Sequence, residues 1–93
     1  MLEKDLACYV VDCARLYKWK HYHTFDSRRS PEGFPDLCLV RPPRIVFAEL
    51  KSEHGRLTPA QREWVRELGE CGLEVHLWRP ADIDNGIILE VLR

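Results

Sequence analysis

In the stretch GFPDLCLVRPPRIVFAELKSE, residues 33–53, three ionisable residues stand at the edges of apolar runs: Asp36, Glu49 and Lys51. Pro42 and Pro43 separate residues 36–40 from residues 44–50. The two apolar, partly β-branched runs read as neighbouring strands. With the turn centred on the prolines, Arg41 faces Arg44, Val40 faces Ile45, and Asp36 falls opposite Glu49. Pro-Pro is not a favoured two-residue hairpin turn, so this register is an assumption resting on the near symmetry of the spacing. Opposed residues share a face. Glu49 and Lys51, two apart on one strand, share a face as well. The three side chains then converge, while Val46, Ala48 and Leu50 project to the other face and can be core.

Two carboxylates held close repel each other, and their proton affinities rise. A divalent cation removes that conflict. Hard oxygen ligands suit Mg²⁺ or Mn²⁺, with waters and a substrate phosphate completing the shell. A lysine beside them could orient or deprotonate an attacking water, or stabilise charge on a phosphorane-like transition state. That is the chemistry of phosphodiester hydrolysis. The competing reading is a surface Glu-Lys pair at a strand end, with Asp36 as a turn residue after Pro35. Both strings are short and common; their spacing across a hairpin favours the site.

Two further residues bear on it. Gln61 shares a helical stripe with Trp64, Val65 and Leu68, which turns it towards the sheet. It also stands three residues after Thr58, where a capping box places a glutamine. The two roles weigh about equally. Glu3 opens the stripe Glu3, Leu6, Val10, Cys13/Ala14, Tyr17. Such an acid could reach a metal site or simply favour the helix dipole; from the residues alone the second is preferred.

The elements that must position these groups follow from periodicity and punctuation. Residues 3–18 carry a helical apolar pattern. Residues 19–24 alternate as a short strand, and 25–34 form a loop rich in Ser, Arg, Pro and Gly. After the two central strands and the loop SEHGRL, a helix begins with Thr58 as N-cap and Pro59 at its first position. It ends near Gly69 and Gly72. Residues 73–78 read as a strand, RPADID as a turn or short helix, and the apolar tail GIILEVL as either strand or helix. The order α-β-β-β-α-β implies an α/β or α+β fold, a small mixed sheet flanked by helices. At 93 residues, without repeats or linkers, one domain over residues 1–93 is expected.

Apolar residues make up 45% and charged residues 31%, the balance of a globular chain rather than a disordered one. No apolar run is long enough to span a membrane. The N-terminus carries charges through its apolar pattern and is not a signal peptide. None of the four cysteines forms a C-x-x-C pair. A disulfide framework or zinc knuckle is therefore not expected, and a reducing, cytoplasmic setting is. The net charge of −1 gives no support to a nucleic-acid partner. Any such contact must rest on local patches. Arg28 and Arg29 precede the acid site and Arg56 follows it, with Arg62 on the next helix. Each taken singly reads as solvated surface charge; Arg28, Arg29 and Arg56 gain weight by bracketing the site. His21 and His23 share a strand face without a third ligand at suitable spacing, so they are not read as a metal pair.

The run HTFDSRRSPEGFPDLCLVRPPRIVFAELKSEHGRLTPAQREWVRELGECGLEVHLWRP closely resembles the VRR-NUC family of virus-type replication and repair nucleases. That family lies in the PD-(D/E)xK, restriction-endonuclease-like superfamily. The most specific motifs are GFPDL, AELKSE, G-x-L-T-P-A-Q and W-R-P-x-D. The resemblance implies an α/β nuclease core, a Mg²⁺ or Mn²⁺ requirement and DNA hydrolysis. It assigns metal binding to Asp36 and Glu49, catalysis to Lys51, and the helix glutamine to Gln61. The first-helix acid falls on Glu3, with Asp5 its rival; the glutamine often seen on that helix is missing from DLACYVV. His23 and Ser27 would border the substrate path. Short stand-alone members, from phages and bacteria, are homodimers that cut four-way (Holliday) junctions. The expected partners are therefore branched DNA and a second copy, in the cytoplasm of a bacterial host if phage-encoded. The alternatives are a non-catalytic DNA-binding module on this fold, which the near-complete catalytic set disfavours, and a sequence-specific restriction-type enzyme, for which 93 residues leave little room.

Overall fold

The computed structural model describes residues 1–24 and 31–93. The expected strand at 19–24 is β1 (Lys20–His23), and the central runs are β2 (Leu37–Arg41) and β3 (Arg44–Leu50). β2 and β3 pair antiparallel with Arg41 opposite Arg44 and Val40 opposite Ile45. The symmetry of the spacing about the prolines thus predicts the register, although the turn type is unfavoured. β1 adds antiparallel to the outer edge of β2, and β4 (Glu74–Trp78) runs parallel to β3. The sheet order is β1-β2-β3-β4, a mixed sheet with an α/β arrangement around it.

α1 (Glu3–Leu16) buries Leu6, Val10, Cys13 and Ala14, the stripe its periodicity marks. They pack on Leu37, Leu39, Val46, Ala48, Leu50 and Trp78 in one core. Lys18, at φ 67°, makes the left-handed turn that sends the chain from α1 into β1. α2 (Pro59–Glu70) starts at Thr58, whose hydroxyl accepts from the Gln61 N–H. It stops where Gly72 takes a φ of 82° and the Leu73 N–H returns to the Leu68 carbonyl, an αL stop that glycine adopts without steric cost. Its inward stripe is half-buried rather than buried, so α2 covers the second sheet face more thinly than α1 covers the first.

RPADID contains the short helix α3 (Ala81–Asp84), and the ambiguous tail is the helix α4 (Ile87–Leu92). Ile88 and Leu92 are buried, one turn apart. The end of α4 is held by two arginines of the hairpin. Arg41 donates to the Tyr17 and Leu92 carbonyls, and Arg44 to the Val91 carbonyl and both oxygens of Glu74. Both guanidinium groups lie over the Trp19 ring, at 4.5 and 5.0 Å. Hydrogen bonding to Arg44 holds the Glu74 carboxyl below its ordinary value. Among the described residues, no helix is long and apolar enough to cross a membrane.

Gly33 explains the first letter of GFPDL. Its φ is 94°, and a Cβ there would lie 2.5 to 2.7 Å from backbone atoms of Ala60 and Gln61. Nearby, the Trp64 indole donates to the Glu32 carbonyl at 3.0 Å, and Phe34 meets Phe47 and Trp64 edge to face. The loop entering β2 is thus seated on the first turn of α2. Gly33→Ala meets both a conformational penalty and backbone overlap. It is expected to cost about 2–4 kcal/mol, lowering the melting temperature by roughly 10 °C or more in thermal circular dichroism. An unchanged melting temperature would show that the loop does not approach α2 this closely.

Candidate active site

The β2–β3 register places Asp36 one step beyond the Leu37–Ala48 pair, opposite Glu49. Asp36 lies at the mouth of β2, where its backbone carbonyl accepts from the Thr24 N–H at 2.9 Å. Its Oδ2 accepts from the Leu50 N–H at 2.8 Å, which fixes the carboxylate against the end of β3. Glu49 is the one charged residue in the interior among the described residues, with only 1% of its surface exposed. Its Oε1 accepts from the Gln61 side-chain amide at 3.3 Å, and its Oε2 has no partner.

A buried carboxylate without full hydrogen bonding strongly disfavours its charged form. Burial first, and then the neighbouring Asp36 carboxylate, push the Glu49 carboxyl up to about 9. The Lys51 charge opposes this, and the Glu3 charge adds to it. Lys51 therefore belongs electrostatically to the acid pair, as strand alternation predicts. Its backbone N–H donates to the Trp78 carbonyl at 3.0 Å, so its position does not depend on its side chain.

Gln61 closes the capping box and also turns towards the sheet. Its Oε1 accepts from the Thr58 N–H at 2.9 Å, closing the capping box, while its Nε2 serves Glu49. One amide offers an acceptor and a donor on different atoms, so the alternatives were never exclusive.

An open groove of about 580 Å³ adjoins the acids. Glu3, Ala7, Cys8 and Val11 of α1 form one wall, His21 and His23 of β1 the other, and Asp36 and Leu50 lie at its end. Glu3 faces this groove, whereas the Asp5 carboxylate turns back to the Leu2 N–H at 3.3 Å. Among the described residues, however, no three His, Cys, Asp or Glu side chains gather into a ligand cluster. Glu3 shares the groove with Asp36 without closing on the pair. Arg56 is exposed beyond Lys51, and Arg62 is exposed on α2. Ser27, Arg28 and Arg29 lie outside the described residues.

The residues present fit a hard divalent cation. Two carboxylates meet, one oxygen of the buried one is unpartnered, and burial outweighs the Lys51 charge in disfavouring its ionised form. Mg²⁺ characteristically takes one or two carboxylates and leaves the remaining positions to water and phosphate, so a third protein ligand is not required.

The chain has relatives among known proteins. The model of the VRR-NUC domain matches residues 2–81. The chain belongs to the VRR-NUC domain family. Two solved structures described as VRR_NUC domain proteins superimpose with TM-scores of 0.75 and 0.74 at 23% and 21% identity. The first match covers 91% of this chain and 92% of the other; the second covers 99% and 85%. Hjc from Archaeoglobus fulgidus, a Holliday junction resolvase, matches at a TM-score of 0.52 and 20% identity, over 84% of this chain and 65% of Hjc. These likenesses show that the chain shares its fold with those proteins. The Fanconi-associated nuclease 1 homolog of Schizosaccharomyces pombe is 38% identical over 56 residues, 58% of this chain. That stretch is 8% of the relative, so this VRR-NUC chain spans under a tenth of its length.

Sequence reasoning missed Arg79. Its guanidinium donates to the carbonyls of Ser52 and Gly55 at 2.7 and 2.6 Å and approaches that of Glu53 at 3.3 Å. The motif W-R-P-x-D marks the residue without indicating that it reaches back to the loop after Lys51.

Proposed function

We propose that the chain is a divalent-metal-dependent DNA endonuclease acting on branched DNA, with four-way junctions as the leading substrate. The observation that carries this reading is the Asp36–Glu49 pair with its unpartnered buried oxygen, beside Lys51. The family membership and the resolvase and nuclease names among its relatives support it. Asp36, Glu49 and, at the groove wall, Glu3 would hold Mg²⁺ or Mn²⁺. The ion would supply Lewis acidity at the scissile phosphate and lower the pKa of a bound water.

The chain's own groups do the rest. The Leu50 N–H and the Gln61 amide fix the two carboxylates. The Lys51 ammonium, on the face of the acids, orients the attacking water and stabilises charge developing on the phosphate oxygens. In-line attack leaves a 5′-phosphate. Arg56, with Arg28, Arg29 and Ser27, would grip the DNA backbone, since an arginine fork matches phosphate geometry. The working form would be a homodimer, whose two-fold axis suits a two-fold symmetric junction, encoded by a phage or bacterium and acting in replication, recombination or repair in the cytoplasm.

The test compares end-labelled four-way junction, flap and linear duplex in Mg²⁺, Mn²⁺ or EDTA, with light scattering to count copies. Expected are cleavage of the junction with either metal, none in EDTA, and a dimer mass. Junction binding without cleavage in any metal would leave a DNA-binding module instead.

A further inference from the structure

The site described so far gives no task to the W-R-P-x-D motif, yet its arginine contacts the loop that follows Lys51. β3 and β4 run parallel with Leu50 paired to Trp78, and Lys51 donates to the Trp78 carbonyl. Arg79 therefore leaves β4 immediately beside Lys51. Its own N–H is tied at 2.7 Å to the Asp82 carboxylate, at the start of α3. From there a single guanidinium nitrogen lies among three carbonyl oxygens, those of Ser52, Glu53 and Gly55, at 2.7, 3.3 and 2.6 Å. Such a cluster of carbonyls around a cation is a strong, charge-assisted anchor. The Gly55 N–H returns to Ser52 O at 3.2 Å, so the loop is a closed turn. That turn lies against the lysine stem: a Cβ on Gly55 would stand 3.5 Å from Lys51 Cδ and 2.9 Å from Ser52 Oγ.

A lysine ammonium rides on a flexible four-carbon stem, and a catalytic group must be held within a fraction of an ångström of its working position. We propose that Arg79 is a positioning residue for Lys51: it clamps the 52–55 turn against the lysine stem, keeping the ammonium directed at the acid pair. This rests on the reading of Lys51 as the catalytic lysine. Asp82 serves the same end one step removed, by fixing the Arg79 backbone.

The test uses the full chain with Arg79→Ala and Arg79→Lys. Three quantities are measured: single-turnover junction cleavage in Mg²⁺, junction Kd in Ca²⁺, and the ¹³Cε resonances of the lysines. The chain has only Lys4, Lys18, Lys20 and Lys51, so these resonances are readily assigned. Arg79→Ala is expected to slow cleavage by about 10- to 100-fold, the scale of a misplaced catalytic group. Junction Kd should stay within about twofold, the signature of a loss confined to the chemical step. The Lys51 resonance should move towards that of an exposed lysine while the other three stay. Arg79→Lys should recover part of the rate, because an ammonium can still serve some of the carbonyls.

A folded Arg79→Ala that cleaves at the wild-type rate would overturn the proposal. So would a weakened Kd with an unmoved Lys51 resonance, which would make Arg79 a DNA contact. Should Arg79→Ala fail to fold, Arg79→Lys decides: a slowed rate with a displaced Lys51 resonance supports the clamp, and a wild-type rate with an unmoved resonance rejects it. Lys51→Ala separates the two failures. If that variant cleaves normally the catalytic reading falls; if it is inactive while Arg79→Ala is normal, only the clamp falls.

Discussion

Lys51→Ala is expected to slow junction cleavage on the order of 10²- to 10³-fold, as when one preorganised charge donor at a developing oxyanion is removed. Binding and folding should be nearly untouched. The backbone of Lys51 is held by the Trp78 carbonyl, and its half-buried side chain is absent from the apolar core. Cleavage and binding are read on the same labelled junction, in Mg²⁺ and in Ca²⁺ respectively. Full cleavage by Lys51→Ala would sink its assignment.

Glu49→Gln is expected to inactivate the protein and, without metal, to make it more stable. With its carboxyl pushed up to about 9, Glu49 holds its proton at neutral pH in the metal-free fold, whereas the unfolded chain ionises near 4.5. Between these values the folded state binds more protons than the unfolded one, so stability falls as pH rises. The Glu49 contribution is fully present below about 4.5 and is lost as the pH rises to about 9. Glutamine matches the neutral, protonated acid in shape and carries no charge. In EDTA at pH 8 the variant should melt roughly 5–10 °C above wild type, since about 1 kcal/mol moves a domain this small by several degrees. Near pH 4.5 the two melting curves should converge. Mg²⁺ should raise the wild-type melting temperature and leave the variant unmoved, because binding only the folded state stabilises it. A variant that melts no higher than wild type at pH 8 would show that Glu49 is not held under electrostatic stress.

Some of this was readable because simple repeats carry it. Period two along β3 puts Glu49 and Lys51 together, and symmetric spacing about Pro42-Pro43 sets Asp36 against Glu49. The tail was readable in principle: strand alternation would bury Glu90 along with Ile88 and Leu92, whereas the helix leaves it exposed. The run was too short for that period to stand out before burial was seen. Gly33 was marked by its motif, but its reason is a close approach to Ala60, twenty-seven residues on, which no local pattern encodes. Arg79 was unreadable for the same cause. Its partners are three backbone carbonyls, and carbonyls belong to every residue alike, so they leave no trace in side-chain spacing.

Thr24 and the stretch before β2 carry a consequence for protein engineering. The Thr24 hydroxyl and N–H bond to the Pro35 and Asp36 carbonyls, both at 2.9 Å, and Gly33 is seated on α2. Asp36 is thus fastened on one side to the end of β1, through Thr24, and on the other, through Gly33, to the first turn of α2. The two fastenings use different residues and different partners, so either can be weakened alone to ask how far the acid pair depends on it for its geometry.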